Sequence, residues 1–183
     1  MTDFTQQETF SEPNDELLPM VDEQGNVIGK MTRGKAHDGS KILHPVVHLH
    51  VFNSKGELFL QHRPHWKFIQ PDRWDTATGG HIGYGESINE ALQREVEEEL
   101  GIKQFTPELI CKYAYESKQE RELIYVFRTV YDGEISPSKT ELDGGRFFSA
   151  EEILQLIGKD TFTPNFEYEY VNVIADSKDG LSS

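Results

Sequence analysis

The apolar positions of the chain fall in short runs separated by polar residues, a pattern typical of β-strands joined by turns. Near the N-terminus, "MVDEQGNVIGKMTR" has two such runs around Gly25-Asn26 and predicts a hairpin. The segment "HPVVHLHVFNSKGELFLQHR" predicts a second pair of strands that turns between residues 53 and 56. Two further strands are predicted at about 109–116 and 121–131.

The remaining segments predict helices and one long loop. Residues 61–87 are rich in proline, glycine and aromatic side chains, and loops of this length inside a compact domain usually have a function. The segment "RFFS" predicts a strand that leads into a helix over "AEEILQLIG", and "PNFEYEYVNVIADS" predicts a last helix. Strands before and after two or three helices predict an α/β or α+β sandwich around a mixed sheet.

A helix over residues 88–100 is predicted by signals at both of its ends. Ser87 and Glu90 have the S-x-x-E spacing of a capping box, which places the start of the helix directly after Ser87. Gly101 suits the left-handed residue that closes a helix. At about 100° per residue, the apolar side chains between these two ends form one stripe along the helix.

The glutamates of this helix form two groups. Glu90 and Glu97 lie opposite the apolar stripe and are expected to be solvated. Glu95 and Glu99 lie within or beside the stripe, with Glu98 near its edge. Half-buried carboxylates held together are costly unless a cation neutralises them. Helix geometry alone leaves a metal site and a structural ion-pair cluster as equal alternatives.

The spacing of residues around this helix resembles the Nudix signature. That signature is glycine, five residues, glutamate, seven residues and then R-E-U-x-E-E-x-G-U, where U is aliphatic. The chain matches every specified position between Gly80 and Ile102. The resemblance covers about residues 20–157 in element order, and it implies the α/β class with the Nudix α/β/α sandwich around a mixed β-sheet.

The same resemblance implies roles for the matching residues. Glu95, Glu98 and Glu99 would bind Mg²⁺ or Mn²⁺, hard cations that prefer oxygen ligands. Arg94 would orient these glutamates, and Glu86 would brace the preceding loop.

Composition and charge narrow the classes of function. The 183 residues carry a net charge of −14, which repels a nucleic-acid backbone and disfavours a DNA- or RNA-binding role. A small anionic diphosphate stays compatible with this charge when metal ions shield it. No apolar run approaches the ~18 residues of a membrane span. The single cysteine, Cys111, excludes an internal disulfide and fits a reducing cytoplasm.

One domain is expected over residues 19–183, including the C-terminal helix. Residues 1–18 are polar and acidic, lack the basic start and apolar core of a signal peptide, and predict a flexible tail. The tail and the last helix are candidate surfaces for a homodimer, and the oligomeric state stays open.

The regions that flank the signature resemble the isopentenyl diphosphate isomerase branch of the Nudix superfamily. The matching residues are three histidines and a Glu-x-Glu pair: His37, His44, His81, Glu120 and Glu122. In that branch, such residues hold a divalent metal, so the resemblance implies a metal site formed by this set. Arg63 and Lys67 match cations that bind the diphosphate in that branch, and they are the candidate substrate-binding residues.

Two departures from the isomerase pattern count against isomerase activity. The catalytic cysteine of that branch precedes a Gly-His pair, and this chain has Gly79 there, which offers no thiol for proton transfer. The isomerases also usually break the R-E…E-E part of the signature, which is intact here. The prediction is therefore an isomerase-like Nudix hydrolase.

The predicted reaction is metal-dependent hydrolysis of a diphosphate linked to another group. A water polarised by a metal or a glutamate would attack phosphorus. The catalytic candidates are Glu98, Glu99 and Arg94 in the helix and Glu122 outside it; Glu120 and Glu141 are further candidate bases, and the sequence does not choose among them.

Two other functions stay open as alternatives. One is an isomerase that uses Tyr84 or a water in place of the thiol, and the other is a domain that senses a nucleotide-linked ligand without cleaving it. The sequence does not specify the group attached to the diphosphate. Taken singly, each histidine is more often a surface or hydrogen-bonded residue than a ligand, and His48 and His50 keep that interpretation, with substrate contact as an alternative.

Overall fold

The N-terminal hairpin lies at the start of the described part of the chain. The computed structural model describes residues 14–175. Strand β1 (Leu17–Val21) pairs antiparallel with β2 (Val27–Thr32), which confirms the predicted hairpin. The predicted tail ends too late, because β1 already contains residues 17 and 18 and the side chain of Leu18 is fully buried. The rest of the predicted tail, up to residue 13, lies outside the described residues.

A central mixed sheet of seven strands forms the body of the molecule. Its strands are β3 (Leu43–Phe52), β4 (Leu58–His62), β5 (Trp74–Thr76), β6 (Thr78–His81), β7 (Glu108–Glu116), β8 (Arg121–Val130) and β9 (Gly145–Phe148). The main order is β5-β4-β3-β8-β7, with β6 paired to β3 and β9 paired to β4. Strands β3 and β8 run parallel over their full length, and the other pairs are antiparallel.

Helices cover both faces of this sheet. They are α1 (Arg33–Ala36), α2 (Ile88–Leu100), α3 (Ala150–Leu156) and α4 (Pro164–Glu169), the last of which continues as a π-helical turn over Tyr170–Ile174. One apolar core joins α2 to one face of the sheet, and a second core joins α3 and α4 to the other face. The predicted α/β sandwich around a mixed sheet is confirmed.

Helix α2 begins and ends where the sequence predicts. Both hydrogen bonds of the capping box between Ser87 and Glu90 are present, and Gly101 closes the helix with a φ of 68°. The last predicted helix differs from the prediction, since it changes from α to π geometry after Glu169. Helix α1 and the short strands β5 and β6 were not predicted, because three or four residues are too few to show a period.

Strand β3 separates the two cores by alternation. Its odd-numbered residues from Val47 to Val51 belong to the core under α2, whereas Val46 belongs to the core under α3 and α4. His44, His48 and His50 therefore lie on the face that α4 covers. Within residues 14–175, no helix has both the length and the apolar character needed to cross a membrane.

Candidate functional site

Arg94 in α2 is the centre of an ion-pair network at the start of the predicted metal site. Its Nε and Nη2 atoms donate to the two carboxylate oxygens of Glu86 at 2.7 and 3.0 Å. Its Nη1 donates to Oε1 of Glu95 at 2.7 Å, and its Nη2 also donates to the carbonyl oxygen of His81 at 3.1 Å. The hydrogen bond from Arg94 lowers the pKa of Glu86, so this carboxylate stays charged and holds the loop before α2.

The three glutamates of α2, Glu95, Glu98 and Glu99, form what we call the glutamate cluster. Burial raises the pKa of Glu95 to about 7 and that of Glu99 to about 8. Glu99 accepts a hydrogen bond from the Thr78 hydroxyl of β6. The side chain of Glu98 is 54% exposed, and its Oε2 lies 3.6 Å from Nη1 of Arg94. One guanidinium therefore faces carboxyl groups whose negative charge it does not fully balance.

Gly80 of β6 lies directly against this cluster. A β-carbon at this position would overlap the carboxyl group of Glu95. The glycine of the signature is thus required here for close approach rather than for backbone conformation, because its φ is not in the left-handed region.

Replacing Gly80 with alanine is expected to displace Glu95 and to lower kcat/KM by about a hundredfold, because small displacements of a catalytic group cost that much. Turnover of a cleavable diphosphate and the melting temperature would be measured together. Gly29→Ala is the control, since its new methyl group would contact only the flexible side chain of Met20. Normal turnover by the Gly80 variant would show that the position of Glu95 does not matter.

Four other predicted ligands form a second group, which we call the histidine cluster: His37, His44, His81 and Glu120. Each of these residues has one potential ligand atom, and the four atoms all lie within 4.8 Å of one another. The Nε2 atoms of His37 and His81 are 3.1 Å apart, and Oε2 of Glu120 lies 2.9 Å from Nε2 of His37. These side chains come from the end of α1, from β3, from β6 and from the turn before β8.

The electrostatics of the histidine cluster suit a bound cation. Nε2 of His44 and Oε2 of Glu120 are buried without a hydrogen bond, although they lie 3.5 Å apart. Nδ1 of His44 is 3.0 Å from the carbonyl oxygen of Ile42, which fixes the ring with Nε2 directed into the cluster. Burial lowers the pKa of His81 well below its usual range and keeps this imidazole neutral, the form that binds metals.

Glu122, the other member of the Glu-x-Glu pair, lies beside the histidine cluster on β8, opposite His44. It is not among the four residues whose ligand atoms converge. Burial, followed by the charge of Glu120, raises the pKa of Glu122 to about 7. Its predicted roles as ligand and base stay predictions.

The predicted diphosphate-binding cations lie in the loop between β4 and β5. Arg63 donates from Nε to the carbonyl of Gln70 at 3.1 Å and from Nη2 to the carbonyl of Ile69 at 2.8 Å. The ammonium of Lys67 lies 5.1 Å from the centre of the Trp66 ring. Among residues 14–175, no recorded contact joins either cation to the two clusters. Substrate binding by Arg63 and Lys67 therefore stays a prediction.

The two clusters lie on opposite faces of β6. Thr78 and Gly80 face the glutamate cluster on α2, whereas the side chain of His81 belongs to the histidine cluster. Arg94 contacts both clusters. Its side chain donates one hydrogen bond to the carboxylate of Glu95 and another to the backbone carbonyl of His81.

A buried acid that was not predicted lies on the same face as the histidine cluster. Glu169 of α4 is fully buried and contacts His48, His50 and Tyr113. A sequence signal was available, because Glu169 lies three residues after Phe166 and directly before Tyr170, and both aromatic residues are buried. A glutamate in the apolar stripe of the last helix therefore indicated a buried polar partner.

Comparison with known proteins tests the resemblance on which these assignments rest. A family model described as the NUDIX domain matches residues 42–167. The chain belongs to the Nudix family. This Nudix protein is 29% identical over 174 residues to isopentenyl-diphosphate Delta-isomerase 1 of Photorhabdus laumondii, covering 91% of this chain and 99% of the relative. It is also 32% identical over 155 residues to an uncharacterized Nudix hydrolase of Streptomyces coelicolor, covering 82% and 84% of the two chains.

Solved structures agree on the fold of this Nudix protein. A crystal structure of a protein from Deinococcus radiodurans superposes with a TM-score of 0.69 at 23% identity, covering 81% of this chain and 92% of that one. The crystal structure of a MutT protein from Methanosarcina mazei gives a TM-score of 0.65 at 25% identity, covering 76% and 98%. The predicted Nudix sandwich and the predicted class of enzyme, a hydrolase acting on acid anhydrides in phosphorus-containing compounds, are confirmed.

Proposed function

We propose that this Nudix protein is a divalent-metal-dependent hydrolase that cleaves a diphosphate linked to another group. The observation that carries the proposal is the glutamate cluster, in which Glu95 and Glu99 are held at buried positions next to Gly80. A structural role alone does not account for this arrangement, since unneutralised buried carboxyls cost stability.

The donor atoms fit divalent cations in both clusters. The glutamate cluster offers only carboxylate oxygens, which Mg²⁺ and Mn²⁺ prefer. The histidine cluster offers imidazole nitrogens and one carboxylate, a set that also suits Mn²⁺ and Zn²⁺. The buried Nε2 of His44, which has no hydrogen-bond partner, supports occupation of the second set. A bound metal would neutralise the charge that develops on the phosphoryl oxygens and would polarise the attacking water.

The residues of the chain have distinct tasks in this reaction. Arg94 holds Glu86 and Glu95 in place through three hydrogen bonds, so that the carboxyl groups need no rearrangement during catalysis. Glu98 is the most exposed of the three glutamates and is the one that a water molecule reaches, so we assign it as base. Thr78 fixes Glu99 from β6.

Isomerase chemistry is the second candidate, because the Photorhabdus laumondii relative has that name and is covered over nearly its full length. A β-carbon on Gly79 would lie 2.9 Å from Cδ2 of His48, so the imidazole ring occupies the space in which a cysteine side chain would start. This arrangement supports hydrolysis over proton transfer by a thiol.

Metal removal is expected to abolish turnover, and addition of Mg²⁺ or Mn²⁺ is expected to restore it. We would incubate the protein in D₂O with nucleoside diphosphate sugars, dinucleotide polyphosphates, coenzyme A, nucleoside triphosphates and isopentenyl diphosphate, and follow the products by mass spectrometry. Cleavage of any member, dependent on the metal, supports the proposal and names the group attached to the diphosphate.

Other outcomes of the same screen decide between the alternatives. Deuterium on carbon in uncleaved isopentenyl diphosphate would show that the protein catalyses isomerisation instead of hydrolysis. Tight binding without turnover in any metal would favour a sensor of a nucleotide-linked ligand. Turnover that survives complete metal removal would contradict the metal dependence.

A further inference from the structure

The buried carboxylate of Glu169 joins three elements on the face of the sheet that α4 covers. Nδ1 of His48 in β3 lies 3.1 and 3.0 Å from its two oxygens, and Nε2 of His50 lies 2.6 Å from Oε1. The Tyr113 hydroxyl of β7 donates to Oε2. A carboxylate without solvent contact and with three partners holds each of them in one orientation.

The two histidines differ in where their second nitrogen points. His50 is fully buried, and its Nδ1 has no hydrogen-bond partner. The side chain of His48 is 12% exposed. Within residues 14–175, Nε2 of His48 makes no hydrogen bond, and this atom is not fully buried. It therefore reaches solvent.

The open edge of the His48 ring lies against Gly79. A β-carbon there would be 2.9 Å from Cδ2 and 3.3 Å from Nε2 of the ring. Gly79 lies between Thr78 and Gly80, which contact the glutamate cluster, and two residues before His81 of the histidine cluster. Along a strand, two residues span roughly 7 Å. The free nitrogen of His48 therefore lies beside the strand that both clusters share.

We propose that His48 contacts the substrate in the same active site, with its Nε2–H donating a hydrogen bond to an anionic oxygen of the diphosphate, and that Glu169 is its positioning residue. The proposal rests on the proposed diphosphate hydrolysis. A donor suits this position because the nearby carboxylates of Glu122 and Glu169 would repel an anionic oxygen.

The charges around His48 support a donor rather than an acceptor at Nε2. Burial alone would lower the pKa of His48, but the charge and hydrogen bond of Glu169, with smaller contributions from Glu122 on β8 and Asp75 on β5, raise it to about 9. Both ring nitrogens then carry a proton at neutral pH. One N–H binds Glu169, and the other stays available to the substrate.

The test compares His48→Asn, His48→Gln and His50→Asn. Asparagine places an amide near the position of Nδ1 and keeps the contact with Glu169, but it removes the outer nitrogen; glutamine places an amide near the position of Nε2. The probe is methylenediphosphonate, a diphosphate analogue that is not hydrolysed, titrated by calorimetry in the presence of Mg²⁺. The matched control is His50→Asn, because His50 binds the same carboxylate without reaching solvent.

We expect His48→Asn to weaken binding of the probe about tenfold or more, as for loss of one hydrogen bond to a charged group. His48→Gln should recover part of this loss, and His50→Asn should bind the probe within threefold of the unmodified protein. Binding unchanged in His48→Asn, or weakened equally in His48→Asn and His50→Asn, would overturn the inference, because His48 would then only attach α4 to the sheet. Failure of the proposed function would look different, since the unmodified protein would bind the probe and cleave no member of the substrate panel.

Discussion

Replacing Glu98 or Glu99 with glutamine is expected to lower turnover at least about a thousandfold, the range for loss of a base or a metal-binding carboxylate. The fold should survive both changes. Glutamine at position 99 still accepts the hydrogen bond from Thr78 and removes a carboxyl group whose burial raises its pKa to about 8. The measurement is kcat/KM on the substrate found in the screen, with circular dichroism and melting temperature for the same samples.

A matched control lies on the same helix. Glu97→Gln removes the same charge from an exposed position on the far side of α2, so it should leave activity within about twofold. Near-normal activity in both Glu98→Gln and Glu99→Gln would refute the assignment of the glutamate cluster as the catalytic site. Loss of activity in the Glu97 variant as well would point to a general effect of charge instead of a site.

Replacing Glu169 with alanine is expected to lower the free energy of unfolding by about 3 to 5 kcal/mol, the range for breaking a buried ion pair. The change leaves the imidazole of His50 and the hydroxyl of Tyr113 buried without their acceptor. It also removes the polar contacts that Glu169 makes between α4 and strands β3 and β7. Urea unfolding at pH 6, followed by tryptophan fluorescence, would measure the change.

The pH dependence of this effect has a defined sign. Glu169 has a lowered pKa in the folded protein, so its contribution is present above the unfolded value of 4.5 and is lost as pH falls below it. His48 has a raised pKa of about 9 in the folded protein. Its contribution to the free energy of unfolding is therefore complete below its unfolded pKa of 6.5 and is lost as pH rises through 9. The difference between the unmodified protein and Glu169→Ala should therefore be largest between pH 4.5 and 6.5.

A milder variant, Tyr113→Phe, gives a reference cost with which the loss of stability in Glu169→Ala can be compared. Tyr113→Phe removes one hydrogen bond to Glu169 and leaves the carboxylate paired with both histidines, so it should cost about 1.5 kcal/mol. An equal or larger cost than that of Glu169→Ala would show that the pairing of the carboxylate with the two histidines adds no stability to this face.

The sequence predicts helix α2 well, because its ends depend on local signals. Ser87, Glu90 and Gly101 determine the helix ends through hydrogen bonds and backbone conformation within a few residues. The proposed catalytic glutamates follow from a signature of fixed spacing. Such features need no knowledge of which strands pair.

Other features depend on contacts between distant segments, and the sequence alone misses them. His48 and Glu169 are 121 residues apart, so no local pattern indicates that they meet. Strands β5 and β6 have three and four residues, and β6 contains two glycines, so they lack the alternation that identifies a strand. The sequence therefore predicts one long loop where the structure has these two strands.

Strand β6 presents two chemically different surfaces, one on each of its faces. Because its side chains alternate, a substitution on the imidazole side meets different neighbours from one on the carboxylate side, and the two kinds of change should couple mainly through Arg94, which contacts both sides. A residue without a thiol at position 79 is therefore compatible with every glutamate of α2. The coexistence of isomerase-like histidines and an intact Nudix helix then needs no compromise in either set, and an engineered change of activity can begin on one side of the strand.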